Sequence, residues 1–180
     1  MRSTLRFALI ALVTLVMAGA PGRADLAPGG APEVTPRLGG PQETEVMAVV
    51  IDPRTRTPTV LLQRKRDARQ LAMSIGPAEA TGIAVPLQGV TPPRPLTHDL
   101  FLTLFGHLKV SLTRVVITEL RDDIYYATVH LRGSGGELTL DARPSDAIAL
   151  AIRAKVPVLV EDRVFDKSGL DMLPGRRPHI

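Results

Sequence analysis

The segment RVVITELRDDIYYATVHLRGSGGELTLDARPSDAIALAIRAKVPVLV, residues 114–160, carries most of the architecture. Val115-Val116-Ile117-Thr118 is a β-branched run of strand type. Residues 124–132 and 137–141 follow as two more strands. The joining stretches, Arg121-Asp122-Asp123 and Gly133-Ser134-Gly135-Gly136, are tight-turn compositions, so an antiparallel meander is predicted. Pro144-Ser145-Asp146 then opens a helix. Its continuation, residues 147–152, is apolar on every face, which predicts the most buried helix of the protein. Val156-Pro157-Val158-Leu159-Val160 returns as a strand and is expected to rejoin the same sheet. Pro157 has no N–H to give to a ladder, so it belongs at that strand's start or on an edge.

Upstream, residues 45–52 read as a strand ended by Asp52-Pro53-Arg54, and residues 59–64 as its hairpin partner. Residues 71–75 are a short third strand closed by Gly76. Pro77-Ala78-Glu79-Ala80 opens a helix, with proline in the first turn and a carboxylate that complements the helix dipole. Pro86 should end or kink it. After a loop spanning Pro92 to Pro95, Thr97 is the expected N-cap of another helix, with Asp99 behind it. Leu100, Phe101, Leu104, Phe105 and Leu108 recur on one face of that helix. The sum is an α+β protein: a mixed, largely antiparallel sheet packed against two to three helices.

The chain has 180 residues, 44% apolar and 22% charged, which is enough for a core and for one domain or two small ones. It contains no cysteine, which excludes disulfides, zinc fingers and thiol nucleophiles together. With no Trp, four Phe and two Tyr, an extended stacking platform for single-stranded nucleic acid is disfavoured. Arg2 and Arg6 precede an eleven-residue apolar run, residues 7–17, broken only by Thr14, and small residues follow it. That is the order of a secretory signal peptide, and the run is shorter than the roughly 20 residues of a membrane span. Cleavage after Ala24 is favoured over cleavage after Ala20, which Pro21 would hinder. Export to the periplasm or medium, with no stable membrane span afterwards, is the expectation. Without residues 1–24 the formal charge falls from +4 to about +1, so overall charge gives little support for phosphate binding. Residues 25–42 are rich in Pro and Gly and read as a disordered linker. The folded domain is expected over 43–167, with a flexible tail at 168–180.

Three motifs carry candidate chemistry: Ile75-Gly76-Pro77-Ala78-Glu79-Ala80, Arg94-Pro95-Leu96-Thr97-His98-Asp99-Leu100, and Asp141-Ala142-Arg143-Pro144-Ser145-Asp146 running into the apolar helix. Each sets a carboxylate at a helix start, where acids also serve simply to satisfy free amides. As a site, Glu79, Asp99, Asp141 and Asp146 are hard oxygen donors of the kind that hold Mg²⁺ or Mn²⁺, with Asp99, Asp141 and Asp146 the metal candidates. His98 suits a general acid or base. Glu79, His98, Asp99 and Asp146 are the catalytic candidates, and Arg94 and Arg143 the phosphate-binding ones.

At these motifs the chain resembles the bifunctional nuclease domain family over roughly residues 45–166. The resemblance implies a compact α+β domain, often a homodimer, and activity on DNA and RNA, as described for plant members. It departs from the family pattern at Ser74, where a large apolar residue is usual, and at Pro86 inside the helix after Glu79. Two functions compete: a metal-assisted nuclease acting on nucleic acid outside the cytoplasm, and a non-catalytic binding or assembly module of the same fold.

Overall fold

The computed structural model describes residues 39–168. The expected signal peptide, most of the expected linker and the tail beyond Ser168 lie outside the described residues. Seven strands form one sheet in the order β3-β2-β1-β7-β4-β5-β6. β1 (Gln42–Ile51), β2 (Pro58–Arg64) and β3 (Gln70–Ser74) make one antiparallel meander. β4 (Ser111–Arg121), β5 (Ile124–Gly133) and β6 (Gly136–Ala142) make a second. β7 (Val158–Val160) lies between them, antiparallel to β1 and parallel to β4. A single central strand of three residues therefore joins the two meanders, and Pro157 stands just before it, where no ladder hydrogen bond is lost.

The hairpins are set locally. Asp122 and Asp123 both adopt positive φ, 50° and 60°, between the paired residues Arg121 and Ile124. This is the turn that matches strand twist, and Asp tolerates it. β1 starts at Gln42, three residues earlier than the apolar pattern suggests, because Gln42, Glu43 and Thr44 pair with β7. That pairing is invisible to local periodicity.

Among the described residues four helices accompany the sheet: α1 (Pro77–Leu87), α2 (Thr97–His107), α3 (Pro144–Ala154) and α4 (Asp162–Lys167). α4 is an addition to the two or three expected. Its Val164 and Phe165 are fully buried, and Arg64 and Arg69 both lie over the Phe165 ring. α3 is the most buried helix, with Ala147, Ile148, Ala149 and Ala151 fully enclosed. It packs on β4 and β5 and against α1 and α2. Pro86 sits in the last turn of α1, and the helix ends at Leu87, one residue after it.

α2 departs most from its sequence pattern. Its N-cap is Leu96, not Thr97, because the Asp99 carboxylate folds back to accept the Leu96 N–H at 2.8 Å. None of its residues is fully buried. Leu102 and Phe105 touch the core, while Leu100, Leu104 and Leu108 are 65, 48 and 62% exposed. The stripe at i, i+4 and i+8 thus points outward. No helix among the described residues is long and apolar enough to cross a membrane.

Candidate functional site

The three motif helices begin alike. Glu79, Asp99 and Asp146 each occupy the third position of their helix, after Gly76-Pro77, Leu96-Thr97 and Arg143-Pro144 respectively. There a carboxylate reaches either its own helix's free amides or a neighbouring cation. Because α1 and α2 both pack on α3, the three starts gather at one end of the helical layer.

Arg143 is the hub. Its Nη1 donates to Glu79 Oε1 at 2.8 Å and its Nε to Asp146 Oδ2 at 2.8 Å, so one guanidinium bridges the first turns of α1 and α3. The His98 Nε2 lies 3.4 Å from Asp146 Oδ1 and brings in α2. His98 is mostly covered, with 16% of its side chain exposed, whereas Arg143 is 65% exposed and reachable from solvent. Burial works against ionisation of Asp146, but the Arg143 hydrogen bond and charge, helped by His98, outweigh it and hold its carboxyl below the usual carboxylate value. Arg143 is in turn pushed further toward its charged form, first by Asp146 and then by Glu79.

Two glycines make room for this geometry. A Cβ on Gly76 would overlap the Glu79 carboxylate that folds back over it. A Cβ on Gly82 would stand 2.9 Å from His98 Cε1 and 3.3 Å from Nδ1, so the imidazole rests on the bare backbone of α1.

Asp99 faces elsewhere. Its Oδ1 accepts from Arg153 Nε at 2.8 Å, and Arg153 Nη1 also donates to the Gly82 and Ala149 carbonyls at 2.6 and 2.9 Å. The Arg153 side chain is only 7% exposed. Burial again opposes ionisation of Asp99, and the Leu96 N–H and Arg153 together overcome it. Asp99 thus ties α2 to α3 and α1, next to the site rather than within it. Asp141 borders the site's cleft but stands opposite Thr128 in the β5–β6 ladder, on the sheet face away from Val129 and Leu140. Arg94 is exposed in the loop between α1 and α2 and does not line the cleft. The arrangement therefore unites Glu79, His98, Arg143 and Asp146, and leaves Arg94, Asp99 and Asp141 apart from them.

Among the described residues no group of three or more His, Asp or Glu is arranged to hold a metal ion. The reason is in the pairing. Arg143 occupies oxygens of Glu79 and Asp146, Arg153 and the Leu96 amide occupy Asp99, and the ladder turns Asp141 away. In this arrangement the donors do not fit a divalent ion.

Gly82 and Arg153 were not among the sequence candidates. Gly82 carried a signal, since glycine inside a helix is unfavourable unless something approaches closely. Arg153 carried none beyond being a charge at the end of an apolar helix. The cleft itself has a volume of about 530 Å³ and opens beside His98 and Arg143. Its chemistry is that of an acid–base group oriented by a carboxylate, next to a solvent-reachable guanidinium.

Comparison with known proteins places the chain in a family. The family model described as the bifunctional nuclease domain matches residues 60–172. An uncharacterized protein of Mycobacterium tuberculosis (strain ATCC 25618 / H37Rv) is 38% identical over 128 residues, which is 71% of this chain and 76% of that protein. Bifunctional nuclease 1 of Oryza sativa subsp. japonica is 33% identical over 90 residues, 48% of this chain and 27% of the rice protein. All three motifs that meet in the cleft lie inside the matched region, and the chain belongs to the bifunctional nuclease domain family.

Proposed function

We propose that this domain hydrolyses phosphodiester bonds of DNA, RNA or both, with His98 as the acid–base group. The observation that carries the reading is the His98–Asp146–Arg143 chain at the cleft mouth. Asp146 orients the imidazole. His98 accepts a proton from a water as its oxygen attacks phosphorus. The P–O bond to the leaving sugar oxygen breaks, that oxygen takes a proton from solvent water, and His98 returns to solvent the proton it accepted. Arg143 is the group able to meet the negative charge that grows on the phosphoryl oxygens. The 3.4 Å separation of His98 and Asp146 is long, as is common before substrate tightens a site.

Assistance by Mg²⁺ or Mn²⁺ is a separate proposal with less support, since its donors Asp99, Asp141 and Asp146 are dispersed; no step here depends on it. The test is cleavage of DNA and RNA by purified protein, in EDTA and with either ion, for wild type, His98→Ala and Asp146→Asn. Loss of cleavage in both variants with unchanged melting supports the reading. Cleavage that survives His98→Ala sinks it, and no cleavage in the wild type under any condition favours the non-catalytic module.

Two further proposals accompany this reading. Export rests on the sequence of residues 1–24 and is tested by the N-terminal sequence of protein recovered from the periplasm or medium. Homodimerisation is favoured by the outward stripe of Leu100, Leu104 and Leu108. Sedimentation of wild type and Leu104→Glu decides it, a monomeric wild type being the contrary result.

A further inference from the structure

The cleft beside His98 has two unlike halves. Its rim carries the ionic residues Glu79, Arg143 and Asp146 with His98, and Asp141 borders it. Its body is apolar, walled by Phe101 and Phe105 of α2, Val129 of β5, Leu140 of β6 and Leu150 of α3. An apolar body with a few polar groups at one end is the usual form of a small-ligand site, and about 530 Å³ is within the usual size range.

Two of the chain's six Phe and Tyr residues lie here. Phe101 is 47% exposed and Leu140 40% exposed, so among the described residues neither side of the cleft is closed. The Phe101 and Phe105 rings stand at 62° to one another with centroids 6.2 Å apart, forming an angled wall rather than a closed stack. At about 100° per residue Leu100, Leu104 and Leu108 lie at about 0, 40 and 80° around α2, and Phe101 and Phe105 at about 100 and 140°. The leucine stripe therefore adjoins the cleft wall on one broad face, and of these five residues the two phenylalanines line the cleft.

The rim makes a poor phosphate site by charge alone. Two carboxylates, Glu79 and Asp146, share one guanidinium. A ligand with a phosphate at the rim must gain its affinity from the apolar body. A flat aromatic ring with a phosphate at one end meets both halves. A second cleft, of about 360 Å³, shares Glu79 and Arg143 and runs on past Tyr125 and Ser145. A chain crossing Arg143 thus finds a recess on either side.

We infer that the apolar cleft between α2 and the β5–β6 edge is a nucleobase subsite, holding the base next to the phosphodiester presented to His98 and Arg143. This rests on the reading of that site as phosphodiester-cleaving. It also reconciles the chain's few aromatics with nucleic acid: they are enough for one base, not for a platform along a strand. Binding of this kind depends weakly on salt, because few phosphates are neutralised.

The test uses the full protein and short oligonucleotides carrying 2-aminopurine at one position, beside the same oligonucleotides with an abasic site there. Wild type should quench 2-aminopurine fluorescence on binding and should bind the abasic form about tenfold more weakly. Phe101→Ala should lose about the same factor for the base-containing form and nothing for the abasic form. Phe101→Leu keeps apolar volume, should fold as wild type, and should also lose the quench. Equal affinity for the two oligonucleotides, or no effect of either Phe101 variant, overturns the subsite; if cleavage persists in that case, the phosphodiesterase reading stands without it. Base-dependent binding without cleavage keeps the base pocket and overturns the phosphodiesterase reading. A wild type that neither binds nor cleaves overturns both.

Discussion

Replacing Gly82 by alanine should separate stability from the proposed chemistry of His98. Gly82 is buried in α1, and a Cβ there would stand 2.9 Å from His98 Cε1. Ordinary carbon contacts are about 3.5–4.0 Å, so the ring must withdraw by roughly 1 Å. The next neighbour, Ala149 Cβ at 3.9 Å, needs no adjustment. The ring is the far end of a side chain with two free torsions, and moving it is cheap compared with moving backbone. Against this, alanine gains about 1 kcal/mol over glycine in a helix interior. The net change in stability should therefore be within about 1 kcal/mol of zero. Function should respond differently. His98 already stands 3.4 Å from Asp146, and a further shift of about 1 Å takes it out of hydrogen-bond range. Misplacement of a catalytic group on that scale lowers the rate by about 10²-fold. Denaturant unfolding and oligonucleotide cleavage, measured on Gly82→Ala, His98→Ala and the double variant, check both halves. The double variant should be more stable than His98→Ala by about 1 kcal/mol, since the clash has gone, and no less active. Unchanged cleavage by Gly82→Ala would refute the claim that the glycine seats His98. A loss of more than about 2 kcal/mol would refute the claim that the ring yields freely.

Ile148→Asp should leave the domain unfolded at room temperature, because Ile148 is fully buried and an unpaired carboxylate there costs several kcal/mol; a cooperative melt like that of wild type contradicts it. Arg153→Met should destabilise by about 2–3 kcal/mol, less than the 3–5 kcal/mol of a fully buried pair because Asp99 is about one-third exposed; a change under about 0.5 kcal/mol in urea unfolding would show the tie to be idle. Asp67, whose carboxylate accepts from Arg64, and Asp99 and Asp146 all have carboxyl pKa values below the ordinary one, so the stability they contribute is complete above about pH 4 and is lost as pH falls through the lowered folded-state values. The melting temperature should fall steeply below about pH 4, and less steeply in Asp99→Asn; equal slopes contradict the assignment. Limited proteolysis of the whole protein should leave a core of about residues 43–167, and early cuts between 110 and 160 would speak against those boundaries.

Local chemistry specifies the elements. β-branched runs, turn residues and helix-opening prolines are short-range signals, and the two meanders, α1, α3 and the placement of Pro157 follow from them. The same signals select Glu79, His98, Arg143 and Asp146, because chemistry-bearing residues at helix starts stand out against an apolar helix. Which partner each residue meets is settled only in three dimensions. Asp99 and Asp146 occupy the same position in their helices, yet one pairs with Arg153 and the other with Arg143 and His98. Nothing within a few residues of either distinguishes them; the packing of α2 on α3 does. The apolar stripe of α2 has the period of a core helix, but periodicity records which residues share a face, not what that face meets. β1 reaches back to Gln42 because β7, more than a hundred residues later in the chain, is there to pair with it. Gly82 matters through a ring from another helix. A sequence states each residue's capacities, and the fold sets the distances at which those capacities act.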